Sequence, residues 1–228
     1  MIVADIALDS ATAVVASITQ HKGTAEAIQL DVAVESAWQD AIHDVVSNHN
    51  RLDILVNNAG ISSAGPIADC SFEQWRKVMA VNLDGAFLGS HYAIKAMSDG
   101  GSIINIASVS GINPPGGGAA AYCSSKAALR MFSKCLALEC TDANNGVRVN
   151  IVSPGGVKTP MWEKEGFFQS MIEEHGSAEQ AFCAMAAGVP SQEFIEPEEV
   201  AKTVLFLASN ESSHLTGVEI VLDKGYHS

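Results

Sequence analysis

Short apolar runs rich in β-branched residues alternate with longer stretches of helical periodicity along the whole chain. The runs are Ile2–Ala4, Ala27–Leu30, Leu52–Val56, Ile103–Ala107, Val147–Val152 and Val218–Leu222. Their brevity, without strict apolar/polar alternation, fits strands covered on both faces. Helical stretches fall near Ser10–His21, Glu35–Asn48, Phe72–Met97, Ala121–Cys140 and Pro197–Ser209. The last opens with Pro197 in a first-turn position, with Glu198 and Glu199 near the positive helix end. This order predicts an α/β fold: a doubly wound parallel sheet with helices on both faces, in a single domain spanning 1–228. Only Val157–Ile195 breaks the rhythm, and it reads as an excursion over the sheet edge.

Composition narrows the class. Hydrophobic residues make up 47% of the 228 and charged residues 17%, which excludes a disordered chain. The formal charge of −13 argues against nucleic acid or an anionic membrane surface as partner. No apolar run approaches the ~20 residues of a membrane span, and MIVADIALDS lacks the basic start of a secretory signal. The five cysteines (Cys70, Cys123, Cys135, Cys140, Cys183) form no C-x-x-C, so neither a disulfide framework nor a zinc site is suggested. The expectation is a soluble protein of a reducing compartment, the cytoplasm. The histidines show no H-x-x-x-H or H-E-x-x-H spacing, which leaves metal ligation unsupported. No G-x-S-x-G elbow is present, so a Ser-His-Asp hydrolase lacks its nucleophile turn.

The most specific chemical signal is Tyr122-Cys123-Ser124-Ser125-Lys126, a Y-x-x-x-K. At i and i+4 both side chains share one helical face. An ammonium beside a phenol favours phenolate and lowers its pKa from about 10, which makes Tyr122 a candidate acid/base. Alone, the pair reads equally as an ordinary Tyr/Lys pair on a helix. Its context changes that. Ser108 follows the run Ile103–Ala107, at the end of a strand where open α/β sheets bind ligands. A hydroxyl there can hold a carbonyl or carbinol oxygen against the phenol, although it can also be a simple turn serine. Asn57-Asn58-Ala59-Gly60 also follows a strand, and Val81-Asn82-Leu83-Asp84-Gly85 lies within a helical stretch. Asn-Ala-Gly can merely end a strand in a turn, and Asn82 can be a helix defect.

In this order, the elements resemble the short-chain dehydrogenase/reductase family over essentially the whole chain. The resemblance implies a Rossmann-like fold and an oxidoreductase that interconverts a secondary alcohol and a ketone with a nicotinamide cofactor. By that likeness the tetrad falls on Asn82, Ser108, Tyr122 and Lys126. Tyr122 exchanges the proton, and Ser108 orients the reacting oxygen. Lys126 lowers the tyrosine pKa and binds the nicotinamide ribose, while Asn82 anchors a water in the proton relay. Asn57, Ala59 and Gly60 lie beside the cofactor. Ser153-Pro154-Gly155-Gly156-Val157-Lys158-Thr159 resembles the segment that closes over the nicotinamide, with Pro154, Gly155, the Val157 backbone and the Thr159 hydroxyl in contact. The tail Gly217–Gly225 resembles the family's final strand, and a homotetramer is implied by the likeness only.

The adenosine end rests on Asp5, which ends the strand-like Met1-Ile2-Val3-Ala4-Asp5, and on the Asp31-Val32 pair beside the adenine. Both aspartates can equally be strand-end turn residues. A carboxylate at Asp5 accepts from the ribose hydroxyls and repels a 2′-phosphate. No Lys or Arg lies within Met1–Gln20, so NAD is expected over NADP. Gly116-Gly117-Gly118-Ala119-Ala120-Ala121 fits G-x-G-x-x-A formally but follows Pro114-Pro115, and reads as a flexible approach to the Tyr122 helix. The family's T-G-x-x-x-G-x-G pyrophosphate turn has no counterpart here, so the likeness implies a chain shortened before Ile2. Such a chain is expected to bind NAD weakly and to melt early, because two strand edges lose their shared neighbour. The aromatic, pliable segment Met161, Trp162, Phe167, Phe168, Met171 suggests that 157–195 is a substrate lid, favouring an apolar or cyclic alcohol. A dinucleotide-dependent epimerase or dehydratase, and a catalytically silent or regulatory paralogue, are the alternative readings.

Overall fold

The computed structural model describes residues 1–164 and 166–226; Glu165, inside the 157–195 excursion, His227 and Ser228 lie outside that description. Strands and helices alternate as β1 (Ile2–Asp5), α1 (Leu8–Gln20), β2 (Glu26–Gln29), α2 (Glu35–His49) and β3 (Ile54–Asn57). There follow α3 (Phe72–Met79), α4 (Gly85–Ala96), β4 (Gly101–Ile106), α5 (Ala120–Asp142) and β5 (Val147–Pro154). The chain closes with α6 (Gly166–His175), α7 (Ala178–Ala186), α8 (Pro197–Ala208) and β6 (Glu219–Leu222). Every strand ladder is parallel, so all strand C-termini lie along one edge.

β4 and β5 form the centre. Ile103, Ile104, Val149, Ile151 and Val152 have no exposed surface. Successive side chains of a strand face opposite ways. Accordingly Ile103 and Val149 pack with Ala93, Met97, Ala137 and Cys140 of α4 and α5, whereas Ile104 and Val152 pack with Leu207 of α8. Two-sided burial explains why these strands read as unbroken apolar runs.

The sheet comes in two ladders, β1–β2 and β3–β4–β5–β6. Among the described residues β1 pairs only with β2, and β3 only with β4. Helix packing joins the two ladders. Trp38 of α2 is 6% exposed, and its indole N–H donates to the Val32 carbonyl at 3.0 Å. On α4, Gly85 and Gly89 make room for these neighbours. A Cβ on Gly85 would lie 2.9 Å from Val32, and one on Gly89 would lie 2.7 Å from the Trp38 ring and 2.6 Å from Asn57 Oδ1.

The Phe72–Met97 helical stretch is interrupted. Ser71 starts α3 with a reciprocal capping box to Gln74, but Ala80–Asp84 forms a π-turn before α4 begins. Such wide turns insert a residue and re-aim side chains, often at functional sites. Asn82 sits in this turn with 1% exposure. The excursion 157–195 forms α6 and α7 around an aromatic core of its own. Phe168 is fully buried, with its ring centroid 4.7 Å from Phe182, and Trp162 and Phe194 pack against the same cluster. Phe168 therefore faces the core of this segment, and Phe167, at 44% exposure, remains on the surface. The segment is tied to the sheet edge where Ile195 N–H donates to the Gly156 carbonyl and Lys158 N–H to the Ile195 carbonyl.

Gly89→Ala is expected to destabilise the fold by about 1–3 kcal/mol, the usual cost of overpacking. Its Cβ meets Trp38 and Asn57 together, and neither can withdraw without breaking the joint between the ladders. Denaturant unfolding checks this; an unchanged midpoint would show that α2 and α4 are not tightly docked.

Candidate active site

The parallel ladders carry Asp5, Asn57, Ser108 and Pro154 to one edge, at or just past the ends of β1, β3, β4 and β5. Ser108 is 7% exposed and caps the 3₁₀ turn Val109–Gly111, its Oγ accepting from Ser110 N–H at 3.1 Å. Gly116–Gly118 lead into α5, whose first two turns hold Tyr122 and Lys126. Gly116 and Gly118 have φ of +151° and +90°, a backbone that favours glycine and matches the reading of this run as an approach loop.

Lys126 is 3% exposed, and its ammonium donates to the Ile106 carbonyl at 2.7 Å. It also lies 5.9 Å from the Tyr122 ring centroid. Burial lowers the Lys126 pKa to about 8. The Tyr122 phenol moves the other way: burial raises its pKa, while a hydrogen bond with Ser108 opposes the rise. The net direction is therefore opposite to the expected lowering: loss of water around the phenol disfavours phenolate, and the Lys126 ammonium donates to a backbone carbonyl. Tyr122, Ser108 and Lys126 are brought together.

Asn82 joins them from the π-turn. Its Oδ1 accepts from Ile61 N–H at 2.8 Å, and its Nδ2 donates to the Ile61 carbonyl at 2.9 Å and to Ser125 Oγ at 3.0 Å. Both amide donors are thus used within the protein, so Asn82 clamps the loop after β3 onto α5. Ser125 in turn donates to the Tyr122 carbonyl at 2.7 Å. Sequence reasoning passed over Ser125, although it lies inside the Y-x-x-x-K. It also passed over the Ile61 and Ile106 backbone groups, which no side-chain pattern reveals.

The candidate cofactor residues divide. A Cβ on Gly60 would lie 3.4 Å from both Asn82 Oδ1 and Lys126 Nζ, so this glycine stands directly against the buried ammonium. Ala59 beside it is exposed. At Asn57 the side chain points into the sheet: its Nδ2 donates to Asn105 Oδ1 at 2.8 Å and to Ser90 Oγ at 3.2 Å. Its side chain holds β3 to β4 and α4, and only its backbone is left for a ligand. Asp5 is exposed at the end of β1, and its carboxylate accepts from Ala7 N–H at 2.8 Å. Asp31 makes the same local turn to Ala33 N–H at 3.0 Å, and Val32 packs on Gly85. Past β5, Gly155 N–H donates to the Leu222 carbonyl at 2.7 Å, and the Val157 carbonyl accepts from the Trp162 indole at 2.8 Å. Thr159 is half-buried beyond them.

Known proteins are similar to this chain in sequence and in fold. A family model described as Enoyl-(Acyl carrier protein) reductase matches residues 1–227. Cyclopentanol dehydrogenase of Comamonas testosteroni is 38% identical over 215 residues, 93% of this chain and 80% of that protein. The NADP-dependent (R)-specific alcohol dehydrogenase of Lentilactobacillus kefiri is 36% identical over 203 residues, 87% of this chain and 75% of that protein. The crystal structure of a short-chain type dehydrogenase/reductase from Mycobacterium marinum superposes with a TM-score of 0.85 at 30% identity, covering 99% of this chain and 84% of that one. The chain belongs to the short-chain dehydrogenase/reductase family. It is an oxidoreductase of that family, with a Rossmann-like parallel sheet flanked by helices.

Within this dehydrogenase/reductase site, the buried ammonium has a thermodynamic signature. The folded Lys126 pKa of about 8 lies below its ordinary 10.5, so between these values the unfolded chain binds more protons than the folded one. Stability therefore rises with pH across that window; the penalty is complete below about 8 and relieved toward 10.5. Lys126→Met is expected to raise stability at neutral pH by about 1–3 kcal/mol. Unfolding measured from pH 7 upward checks it; the variant should lose the wild-type slope, and an equal slope in both would refute the assignment.

Proposed function

We propose that this chain interconverts an apolar or cyclic secondary alcohol and its ketone using NAD(H), with Asn82, Ser108, Tyr122 and Lys126 as the working residues. One observation carries this reading: a buried lysine, a phenol and a strand-end serine meet at the C-terminal edge of a parallel sheet. The cyclic class is favoured by the likeness to cyclopentanol dehydrogenase, and we take the segment beyond β5 as the lid.

The residues present fit the nicotinamide end of a dinucleotide. The bond to Ile106 uses one of the three donors of Lys126 Nζ, which leaves two that a ribose hydroxyl would meet beside Gly60. Gly60, Ala59, Pro154, Gly155, Val157 and Thr159 would line that end, and Asp5, Asp31 and Val32 the adenosine end. A bound nicotinamide supplies or accepts the hydride. The rest falls to the chain. Ser108 holds the substrate oxygen against Tyr122, whose phenol donates the proton to a ketone or, as phenolate, takes it from an alcohol. Burial holds the phenol protonated, and the hydrogen bond with Ser108 works against that rise. Asn82 keeps the loop after β3 against α5 so that these groups stay in line.

Two further features accord with the family. Phe87 of α4 and Met131 and Leu138 of α5 are exposed by 47%, 62% and 67%, an apolar face suited to a homotetramer. The five cysteines are free thiols, which favours a reducing compartment, and we propose the cytoplasm.

Tyr122→Phe is expected to keep the fold and lose nearly all turnover, followed by nicotinamide absorbance with a panel of cyclic alcohols and ketones. Near-normal kcat in that variant would remove Tyr122 from the mechanism. Because Asp5 is an exposed carboxylate with no basic residue in Met1–Gln20, kcat/KM should be higher for NAD than for NADP. A value for NADP that equals or exceeds that for NAD overturns this choice of cofactor.

A further inference from the structure

Arg130 lies on α5 one turn beyond Lys126 and takes no part in the chemistry described above. Its guanidinium makes a two-point contact with Glu219, Nε to Oε1 at 2.5 Å and Nη2 to Oε2 at 2.8 Å. The third nitrogen, Nη1, donates to the Gly111 carbonyl at 2.6 Å. Gly111 ends the turn that Ser108 starts, and its N–H donates to the Ser108 carbonyl at 2.9 Å. The turn also lies flat on α5: a Cβ on Gly111 would come within 2.7 Å of the Lys126 carbonyl carbon and 2.8 Å of the Ala127 nitrogen. Backbone meets backbone there, so any drift of the turn is a drift of Ser108 against Tyr122.

Glu219 does equivalent work on the other side. It begins β6 opposite Ile151 of β5, and its Oε1 also accepts from Ser153 Oγ at 2.7 Å. Ser153 is fully buried and directly precedes Pro154-Gly155, where β5 leaves the sheet. Lys134 stands 3.5 Å from the second oxygen. Burial alone would push the Glu219 carboxyl up, but the Arg130 and Ser153 hydrogen bonds and the nearby cations more than offset it, so it is held below the usual carboxylate range. Side-chain exposures of 21% for Arg130 and 10% for Glu219 shield the pair from salt.

We infer that Arg130 and Glu219 are positioning residues: one ion pair clips both the Ser108 turn and the exit of β5 onto α5, setting the serine and the Pro154–Thr159 segment around Tyr122. The inference rests on the reaction proposed above. A bidentate fork with a third donor is a geometry that lysine cannot reproduce.

The test compares Arg130→Lys and Glu219→Gln with the parent chain, in steady-state kinetics and in hydrogen exchange followed by mass spectrometry. Arg130→Lys should lower kcat by roughly tenfold to a hundredfold, the scale of a small misplacement, with KM changed much less. Exchange should quicken in the peptide covering Ser108–Ile112 and at the end of β5, while α4 and the rest of α5 keep their protection. Glu219→Gln retains one acceptor oxygen and should fall between the two. Unchanged kcat and unchanged Ser108–Ile112 exchange in Arg130→Lys would overturn the inference. So would faster exchange spread evenly over the whole chain, which would mark a purely structural role. A parent chain that turns over no alcohol or ketone would instead overturn the proposed reaction, and the local exchange arm would still decide whether the clip exists.

Discussion

Holding the Lys126 ammonium out of water constrains everything around it. A buried cation is tolerated only where polar groups are arranged to receive it. Here the Ile106 carbonyl does so at the end of β4, which requires that β4 stop in register with the second turn of α5. The bare backbone at Gly60 and the amide of Asn82 complete the surroundings. The arrangement costs stability, as the lowered Lys126 pKa shows. Active sites commonly hold such destabilised groups, and the surrounding packing must compensate.

The compensation lies in close helix and strand contacts made possible by small residues. Gly85 and Gly89 bring α4 against Val32 and Trp38, joining the β1–β2 ladder to the rest. Behind the site, Asn57, Asn105, Ser90 and Ser133 form a buried hydrogen-bond network across β3, β4, α4 and α5. A fully satisfied network of this kind fixes one register, because any slip leaves a buried polar group unpaired. The π-turn at Ala80–Asp84 then aims Asn82 inward, so a local irregularity of one helix becomes the clamp on a distant loop.

Local chemistry explains which residues were readable. Tyr122 and Lys126 share a helix face by spacing alone, and Ser108 follows a run whose β-branched residues mark a strand. The glycine-rich approach to α5 was readable from Pro114-Pro115 before it. Asn82 was ambiguous, since an asparagine inside a helical pattern signals an irregularity without saying what it serves. For Asn57 the side-chain partner was not readable, because its bonding to Asn105 depends on a strand far away in the chain. Phe168 shows the same limit, because an aromatic residue has the same letter on the surface of a segment and in that segment's own core.

The amino-acid sequence by itself determined the alternation of strands and helices, the two-sided burial of the central strands and the pairing of phenol and ammonium on α5. These follow from periodicity and spacing, which act over a few residues. Only the tertiary structure decided that the ladders are joined through α2 and α4. It alone gave Lys126 the Ile106 carbonyl, turned Asn82 onto Ile61 and Ser125, and pushed the Tyr122 phenol up by burial. Each of these depends on backbone groups or on loss of water, and neither is written in the identity of a side chain. They arise when segments distant in sequence close on one another.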